Sequence, residues 1–390
     1  MLNRKDFVSS QPATKKDFEQ WQHQFGPLAL YLMDPSITEI MVNGPQRVFI
    51  EQRGLLKRTP VKFENSSDLL KIALEIAKNM GKRLDKNHPC LDGRLPDGSR
   101  VNIVIPPVAV DGISITIRKF SPFVLDHEQL IKSGMFDERM AYFLSCCVEA
   151  RLNIVVGGGT GSGKTTLLNV LSSFIPKHER VVTIEDAAEL KIKSENLVRL
   201  ESRPAQDNEG GTSIRQLVIN ALRMRPDRIL VGECRGAEVL DMLVAMNTGH
   251  EGSMTTVHAN SARESLRRLE SMLLLSGVEL PPRVSREHIS SALDLVVNIQ
   301  RQADGSRKVV EIMEVGGMEG EVILTQDIFA YEPSKGFHAL GFVPRFVERF
   351  KERGLQFPPD FFTDRYNVRT IRKVPKGASA SAKKRDIIKK

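Results

Sequence analysis

The sequence has few cysteines, and their spacing gives no sign of a metal or disulfide framework. None of the four belongs to a CxxC pair, so neither a zinc knuckle nor a set of disulfides is suggested. We therefore expect buried thiols at the four positions, which are Cys90, Cys146, Cys147 and Cys234.

Long apolar runs are also missing. No stretch approaches the roughly 20 apolar residues that are needed to span a bilayer. The opening MLNRKDFVSSQ lacks the apolar core of a signal peptide. Both observations predict a chain that stays in the cytoplasm.

Aromatic residues are scarce, and the excess of positive charge is confined to one end. The net charge is +8, and the segment from Arg365 to Lys390 carries +9, which leaves −1 for the rest. A neutral body with one Trp is a poor lining for a nucleic-acid channel, so we expect no nucleic-acid partner. The tail is expected to be disordered, either as a solubilising segment or as a contact for anionic lipid or nucleic acid.

A chain of 390 residues is too long for one ordinary core, and its patterns predict two domains. The short apolar strands ITEIMV, RVFIEQ, LLKRTPVKF, RVNIVIPP and GISITIRKF surround a helix from about Ser67 to Met80, which is typical of an α+β domain. The predicted organisation is a lead (1–25), this α+β domain (26–120), a linker (121–134), a second domain (135–355) and a basic tail (356–390).

The second domain alternates strands and helices, as a parallel sheet requires. The strands RVVTIED, RILVGE and GSMTTVHA are each followed by a segment with helical spacing of apolar residues. Ser261 and Glu264 predict a capping box for the helix that runs to Gly277. LVVNIQ and KVVEIMEV, joined by the turn DGS, predict a hairpin.

A glycine-rich loop between a strand and a helix carries the first chemical signal. GGTGSGKT, from Gly158 to Thr165, fits G-x-x-x-x-G-K-[ST] and follows the apolar run from Ile154 to Val156. Glycines let backbone N–H groups approach phosphate oxygens at a helix N-terminus. The pattern predicts ATP binding with Mg²⁺, through Gly158, Thr160, Gly161, Ser162, Gly163, Lys164, Thr165 and Thr166. Lys164 is expected at the β and γ phosphates, and the Thr165 hydroxyl at Mg²⁺.

Two acidic residues follow buried strands of the same domain. Glu233 ends RILVGE, and Glu185 with Asp186 ends RVVTIED. Each alone would be taken for a solvated strand end. Because ligands of open α/β sheets bind at the carboxyl ends of strands, the two together favour roles with Mg²⁺ and the attacking water.

Histidines and arginines complete the candidate set. His250 and His258 are too far apart for HExxH, which argues against zinc. His258 ends a strand of the sheet, so a sensor of the γ-phosphate competes with a structural role. Arg94, Arg100 and Arg118 are surface residues by default, but a strand-borne arginine beside a nucleotide can act as an arginine finger.

These motifs resemble a known family. GGTGSGKTT, TIEDAAEL, RPDRILVGECRG and TGHEGSMTTVHAN, in this order, are similar to the four boxes of type II and type IV secretion and pilus ATPases. ITEIMVNGPQRVFIEQRGLL, CLDGRLPDGSRVNIVIPP and MEGEVILTQDIF resemble the CpaF/TadA-type ATPases of tight-adherence pilus systems. The absence of a tetracysteine metal module favours the tight-adherence or type IV branch.

The resemblance implies an α/β fold, with a RecA-like P-loop NTPase domain preceded by a smaller α+β, PAS-like domain. It implies a homo-hexamer with ATP between the domains, and rocking of the N-terminal domain on hydrolysis. It also implies roles for five residues beyond the loop: Glu185 as Mg²⁺ or water ligand, Glu233 as general base, His258 as His-box residue, and Arg100 and Arg118 as contacts to the phosphates.

The sequence thus leads to one main hypothesis and two alternatives. The main hypothesis is an ATPase motor, cytoplasmic and peripheral at the inner membrane, that drives a membrane platform protein in pilus assembly or secretion. The alternatives are a nucleic-acid translocase of RecA-like type and a regulator that binds ATP and rarely cleaves it. An intact set of Lys164, Glu185 and Glu233 argues against the regulator.

Overall fold

Two units make up the chain, and each has its own sheet. The computed structural model describes residues 21–52, 54–120, 125–203 and 210–364. The units are Met1–Phe123 and Val124–Lys390. The basic segment from 365 onward lies outside the described residues, as do most of the predicted lead and residues 121–124 of the predicted linker.

In the described part of the N-terminal unit, six antiparallel strands form a sheet in the order β3-β2-β1-β6-β5-β4. The strands are β1 (Ile37–Asn43), β2 (Val48–Gln52), β3 (Leu55–Arg58), β4 (Cys90–Arg94), β5 (Arg100–Val104) and β6 (Ser114–Arg118). The helices are α1 (Ala29–Met33), after a 3₁₀ turn at Gly26–Leu28, and α2 (Ser66–Asn79).

Helix α2 and one face of this sheet enclose the core. Asn65 caps the helix by accepting a hydrogen bond from the Asp68 N–H, and Leu69, Ala73 and Ile76 are fully buried. The strand sequence alternates buried and exposed positions, which leaves one face of the sheet for the core. The prediction of an α+β arrangement is therefore confirmed.

Within the described residues of the second unit, nine strands form one mixed sheet in the order β15-β14-β13-β12-β7-β11-β10-β8-β9. Strands β12, β7, β11, β10, β8 and β9 are parallel, and β12 to β15 pair antiparallel. The strands are β7 (Ile154–Gly158), β8 (Val181–Glu185), β9 (Leu197–Glu201), β10 (Arg228–Val231), β11 (Met254–His258), β12 (Leu295–Arg301), β13 (Arg307–Glu319), β14 (Val322–Glu332) and β15 (Gly336–Ala339). The helices are α3 (His127–Lys132), α4 (Glu138–Glu149), α5 (Lys164–Ser172), α6 (Ile214–Ala221), α7 (Glu238–Asn247), α8 (Ala262–Leu274), α9 (Pro282–Ala292) and α10 (Val347–Glu352).

The parallel strands are apolar throughout because helices cover both faces of the sheet. Every residue of β7 is buried; Ile154 and Val156 belong to the core cluster that includes α4 and α5, whereas Val155 belongs to the cluster that includes α7 and α8. This division follows from the two-residue period of a strand. The predicted alternation of strands and helices and the β12–β13 hairpin are confirmed.

The structure corrects or extends three local predictions. The capping box at α8 is only half formed: Ser261 Oγ accepts from the Glu264 N–H at 3.1 Å, but Glu264 Oε2 accepts from the N–H of Asn260. The predicted linker contains helix α3. Strands β4, β9, β14 and β15 were not predicted.

No helix in the described ranges is long and apolar enough to cross a membrane.

An ion cluster lies at the edge of the sheet where the parallel strands begin. Arg228, the first residue of β10, is 0% exposed and donates from Nε to Glu179 Oε2 at 2.5 Å. Arg151 donates to Glu179 Oε1 from Nε at 3.2 Å and from NH2 at 3.0 Å. Burial favours the neutral acid, but the two guanidinium groups outweigh it and hold the pKa of Glu179 below its usual value.

Candidate functional site

The opposite edge of the sheet, where the parallel strands end, gathers most of the predicted site residues. Strands β7, β11, β10 and β8 are consecutive in the sheet. His258 pairs in register with Gly158, and Ile184 with Val231, so the ends of these strands align. The residues brought to this edge are Gly158, His258, Glu185 and, two positions after β10, Glu233.

The glycine-rich loop joins β7 to α5 with a backbone that needs glycine. Gly161 has a φ of 69° and Gly163, which precedes α5, has a φ of 102°. A Cβ on Gly158 would lie 2.4 Å from Ser162 Oγ and 2.8 Å from the Ile299 carbonyl oxygen. The loop therefore closes tightly over the end of the strand, and the N-terminus of α5 faces the site.

Within this loop, Lys164 and Ser162 have arrangements that fit a phosphate group. Lys164 Nζ donates to the carbonyls of Gly158 at 3.0 Å and Gly159 at 3.1 Å, and it lies 3.8 Å from Glu233 Oε1. Ser162 Oγ is buried and has no hydrogen-bond partner among the described residues. Anionic oxygens in the loop would give Ser162 Oγ a partner and could replace the carbonyl partners of Lys164. Of the other predicted contacts, Thr160 is exposed, and Thr165 and Thr166 are half-buried in the first turn of α5.

Glu185, at the end of β8, is a buried carboxylate of which one oxygen accepts hydrogen bonds. Its Oε2 accepts from the N–H groups of Glu189 at 2.8 Å and Leu190 at 2.9 Å. Its Oε1 is buried without a partner in the described part of the chain. Burial raises the pKa of Glu185 to about 7, although the two N–H bonds lower it. A carboxylate oxygen without a partner fits a water molecule held by Mg²⁺.

This raised pKa predicts a pH dependence of metal-assisted binding. Below pH 7 the Glu185 carboxyl is mainly neutral and is a poor partner for a hydrated cation; above pH 7 it is ionised. We expect the gain in ATP affinity caused by Mg²⁺ to increase as pH rises from about 6 to 8. Fluorescent-nucleotide titrations with Mg²⁺ or EDTA at each pH measure that gain.

The matched control for this titration is Glu185→Gln, which cannot ionise. The variant also separates the titration of Glu185 from that of ATP itself, whose terminal phosphate also changes charge in this pH range. An identical pH dependence of the Mg²⁺ effect in the parent and in Glu185→Gln would contradict the prediction.

An arginine that the sequence reasoning missed bridges two acids at this edge. Arg235 donates from Nε to Glu233 Oε2 at 2.6 Å and from NH1 to Asp186 Oδ2 at 3.0 Å. Its own N–H donates to Glu238 Oε1. Lys164 lies near the other oxygen of Glu233, so the charges of Arg235 and Lys164 offset those of Glu233 and Asp186. Its position directly after GEC in RILVGECRG marks Arg235 as close to Glu233, but local spacing does not predict the contact with Asp186.

The two histidines of the HEGSMTTVH segment lie at opposite ends of β11. His258 ends the strand beside the glycine-rich loop and is exposed. His250 precedes the strand, and its carbonyl accepts from Ser253 Oγ at 2.6 Å. The two side chains therefore do not share a site.

The predicted arginines belong to the N-terminal unit, where they form a row. Arg94 pairs in register with Arg100, Arg100 pairs with Arg118, and Arg118 pairs with Glu39. Directly opposed residues point to the same face of a sheet, and like charges in that position destabilise the pairing. Arg118 Nε is 4.0 Å from Glu39 Oε1 and the Arg118 side chain is 49% exposed. A row of this kind suits an anionic ligand.

Comparison with known proteins agrees with these features. Residues 22–331 match the family model described as type II/IV secretion system protein. The conjugal transfer protein TrbB of Rhizobium radiobacter is 34% identical over 299 residues, which cover 74% of this chain and 87% of TrbB. The type IV secretion system protein VirB11 of Bartonella quintana is 34% identical over 327 residues, covering 73% of this chain and 90% of VirB11.

A solved structure shares the fold. The crystal structure of the pilus retraction motor PilT with bound ADP aligns with a TM-score of 0.52 at 18% identity, covering 87% of this chain and 86% of that chain. The predicted fold class, an α/β RecA-like domain preceded by a smaller α+β domain, is confirmed. Since the family model covers most of the chain, and TrbB and VirB11 align over most of their own length, the protein belongs to the type II/IV secretion system protein family.

Proposed function

We propose that this protein is an ATP-hydrolysing motor that works as a homo-hexamer in secretion or in assembly of a tight-adherence or type IV-like pilus. The observation that carries the proposal is the convergence at one sheet edge of a phosphate-type loop, Lys164, Glu233 and Glu185. A bound nucleotide and its metal would also give partners to the buried Glu185 Oε1 and Ser162 Oγ, which have none within the described ranges.

Each side chain then has a chemical task. Bound ATP with Mg²⁺ would supply the phosphoryl group that passes to water. Lys164 exchanges its loop carbonyls for phosphate oxygens, which leaves Glu233 near the reacting end of the nucleotide. Glu233 accepts the proton of the attacking water, and Glu185 Oε1 would accept a hydrogen bond from a water of hydrated Mg²⁺.

Residues outside these three complete the proposed site. His258 ends the strand next to the loop and serves as a sensor of the terminal phosphate. For Arg100 and Arg118 we keep the role that the family resemblance implies, which is to contact phosphate oxygens as arginine fingers do. Thr165 would hold Mg²⁺ through its hydroxyl.

The proposal also covers location and partners. The CpaF/TadA-like segments support the tight-adherence branch, and the names of TrbB and VirB11 support secretion or conjugal transfer. We propose a cytoplasmic protein, peripheral at the inner membrane, that moves a membrane platform protein. The basic segment 365–390 is a candidate contact for anionic lipid.

One experiment on the purified full chain tests the proposal. Steady-state ATPase activity and mass by light scattering are measured together, with and without ATP and Mg²⁺. We expect a hexamer that hydrolyses ATP. A stable monomer without turnover, even with the platform protein present, would refute the motor.

The same assay separates the alternatives. DNA-stimulated turnover that survives deletion of residues 365–390 would favour a translocase. Nucleotide binding without turnover, unchanged in Glu233→Gln, would favour a regulator. DNA stimulation is not expected because the chain without its basic tail is nearly neutral. Binding without turnover is not expected because Glu185 and Glu233 are both present.

A further inference from the structure

The glycine-rich loop is held from outside by a residue that no motif includes. Arg307, the first residue of β13, donates from Nε to the carbonyl oxygen of Gly161 at 2.9 Å. The two residues are 146 positions apart in the chain. Gly161 lies in the middle of the loop, between β7 and α5. The β12–β13 hairpin thus reaches the middle of the loop.

The direction of this hydrogen bond matters for anion binding. In a trans peptide the C=O and the following N–H point to opposite sides. Holding the Gly161 carbonyl toward Arg307 therefore turns the Ser162 N–H away from Arg307. That N–H makes a long bond of 3.3 Å to the Gly159 carbonyl, so it faces the interior of the loop. Inward N–H groups are what a phosphate oxygen requires.

A second contact fixes the start of helix α5. A Cβ on Gly163 would lie 3.2 Å from Arg307 Cδ and 3.3 Å from Met135 Cε, so the stem of Arg307 and the side chain of Met135 enclose the glycine. The Met135 carbonyl accepts from the Val309 N–H at 2.7 Å, which ties both walls to β13. N–H groups at a helix N-terminus favour bound anions.

We propose that Arg307 is a positioning residue of the nucleotide site. It orients the Gly161–Ser162 peptide and the first turn of α5 before the nucleotide arrives. This inference rests on the proposed binding of nucleotide by the loop. Preorganisation of this kind raises affinity because the loop loses less conformational freedom on binding.

The test compares Arg307→Gln, Arg307→Lys and a control, Arg286→Gln. Arg286, on α9, also ties separate elements through hydrogen bonds to Glu270 and the Glu321 carbonyl, but not to the loop. The measurements are the Kd of a fluorescent ADP analogue, KM and kcat for ATP, and the melting temperature without nucleotide.

We expect Arg307→Gln to raise Kd and KM about tenfold, the usual effect of losing a charge-assisted hydrogen bond. Because Arg307 is proposed to act through the loop rather than on the reacting atoms, kcat is expected to stay within about threefold. Arg307→Lys keeps the charge and one donor and is expected to recover part of the affinity. Arg286→Gln is expected to leave Kd unchanged.

The outcomes separate this inference from the proposed function. A parent protein that binds no nucleotide would overturn both. A parent that binds, with an unchanged Kd in Arg307→Gln, would overturn the inference alone, even if the melting temperature falls. Should Arg307→Gln fail to fold, Arg307→Lys decides: a raised Kd at an unchanged melting temperature supports the inference, and an unchanged Kd overturns it.

Discussion

Glu233→Gln is expected to bind ATP about as well as the parent and to hydrolyse it about a thousandfold more slowly. The amide has the same shape and keeps an oxygen for Arg235, but it cannot accept a proton from water. Glu233 lies 3.8 Å from Lys164 Nζ, at the mouth of the loop, where the terminal phosphate is proposed to lie. Single-turnover kinetics with equilibrium binding of a fluorescent nucleotide measure both quantities.

Lys164→Ala is the matched contrast, since it removes a phosphate contact rather than the base. We expect it to lose nucleotide binding as well as turnover. The control is Glu287→Gln, an exposed acid on α9 paired with Arg283, which is expected to leave both quantities unchanged. Equal turnover in Glu233→Gln and the parent would remove Glu233 from the mechanism.

Glu179→Gln is expected to lower the unfolding free energy of the second unit by about 3 to 5 kcal/mol. The substitution leaves the Arg228 guanidinium, which is 0% exposed, without its counter-charge and next to Arg151. Urea titration followed by far-UV circular dichroism measures the change. The only Trp, Trp21, lies in the other unit, so its fluorescence would not report this transition.

Two controls isolate the charge at this position. The double variant Glu179→Met with Arg228→Met removes the buried charges together and is expected to be less destabilised than Glu179→Gln. The second control is to repeat the urea titrations of the parent and of Glu179→Gln at low pH. The folded pKa of Glu179 is below the ordinary value, so its contribution is complete above about pH 4.3 and is lost as pH falls through the folded pKa. A difference between parent and Glu179→Gln that persists at low pH would contradict the charge explanation.

Local patterns were enough to predict the main elements and the edge at which the site lies. Apolar strands followed by helical spacing imply a parallel sheet, and the carboxyl ends of its strands then bring Glu185, Glu233 and His258 to the edge that carries the loop. The glycines at 161 and 163 have the left-handed backbone that the motif predicts. These features depend on residues close together in the chain.

Contacts between distant segments could not be predicted in the same way. Arg307 is an ordinary hairpin residue until the sheet places β13 two strands from β7. Strand β9 was missed because LVRLE is a half-exposed edge strand with charges and little apolar alternation. The arginine row depends on strand register, which the sequences of β4, β5 and β6 do not fix without knowledge of their turns.

The position of β7 in the sheet also has a consequence for how the protein is made. This strand begins at residue 154, but its two neighbours, β11 and β12, begin at residues 254 and 295. Translation of the intervening chain takes on the order of ten seconds, during which β7 has neither partner. An apolar strand in that state exposes both edges to other chains. The glycine-rich loop therefore forms only late in synthesis, and the nascent second unit has to be shielded from aggregation until β12 has left the ribosome.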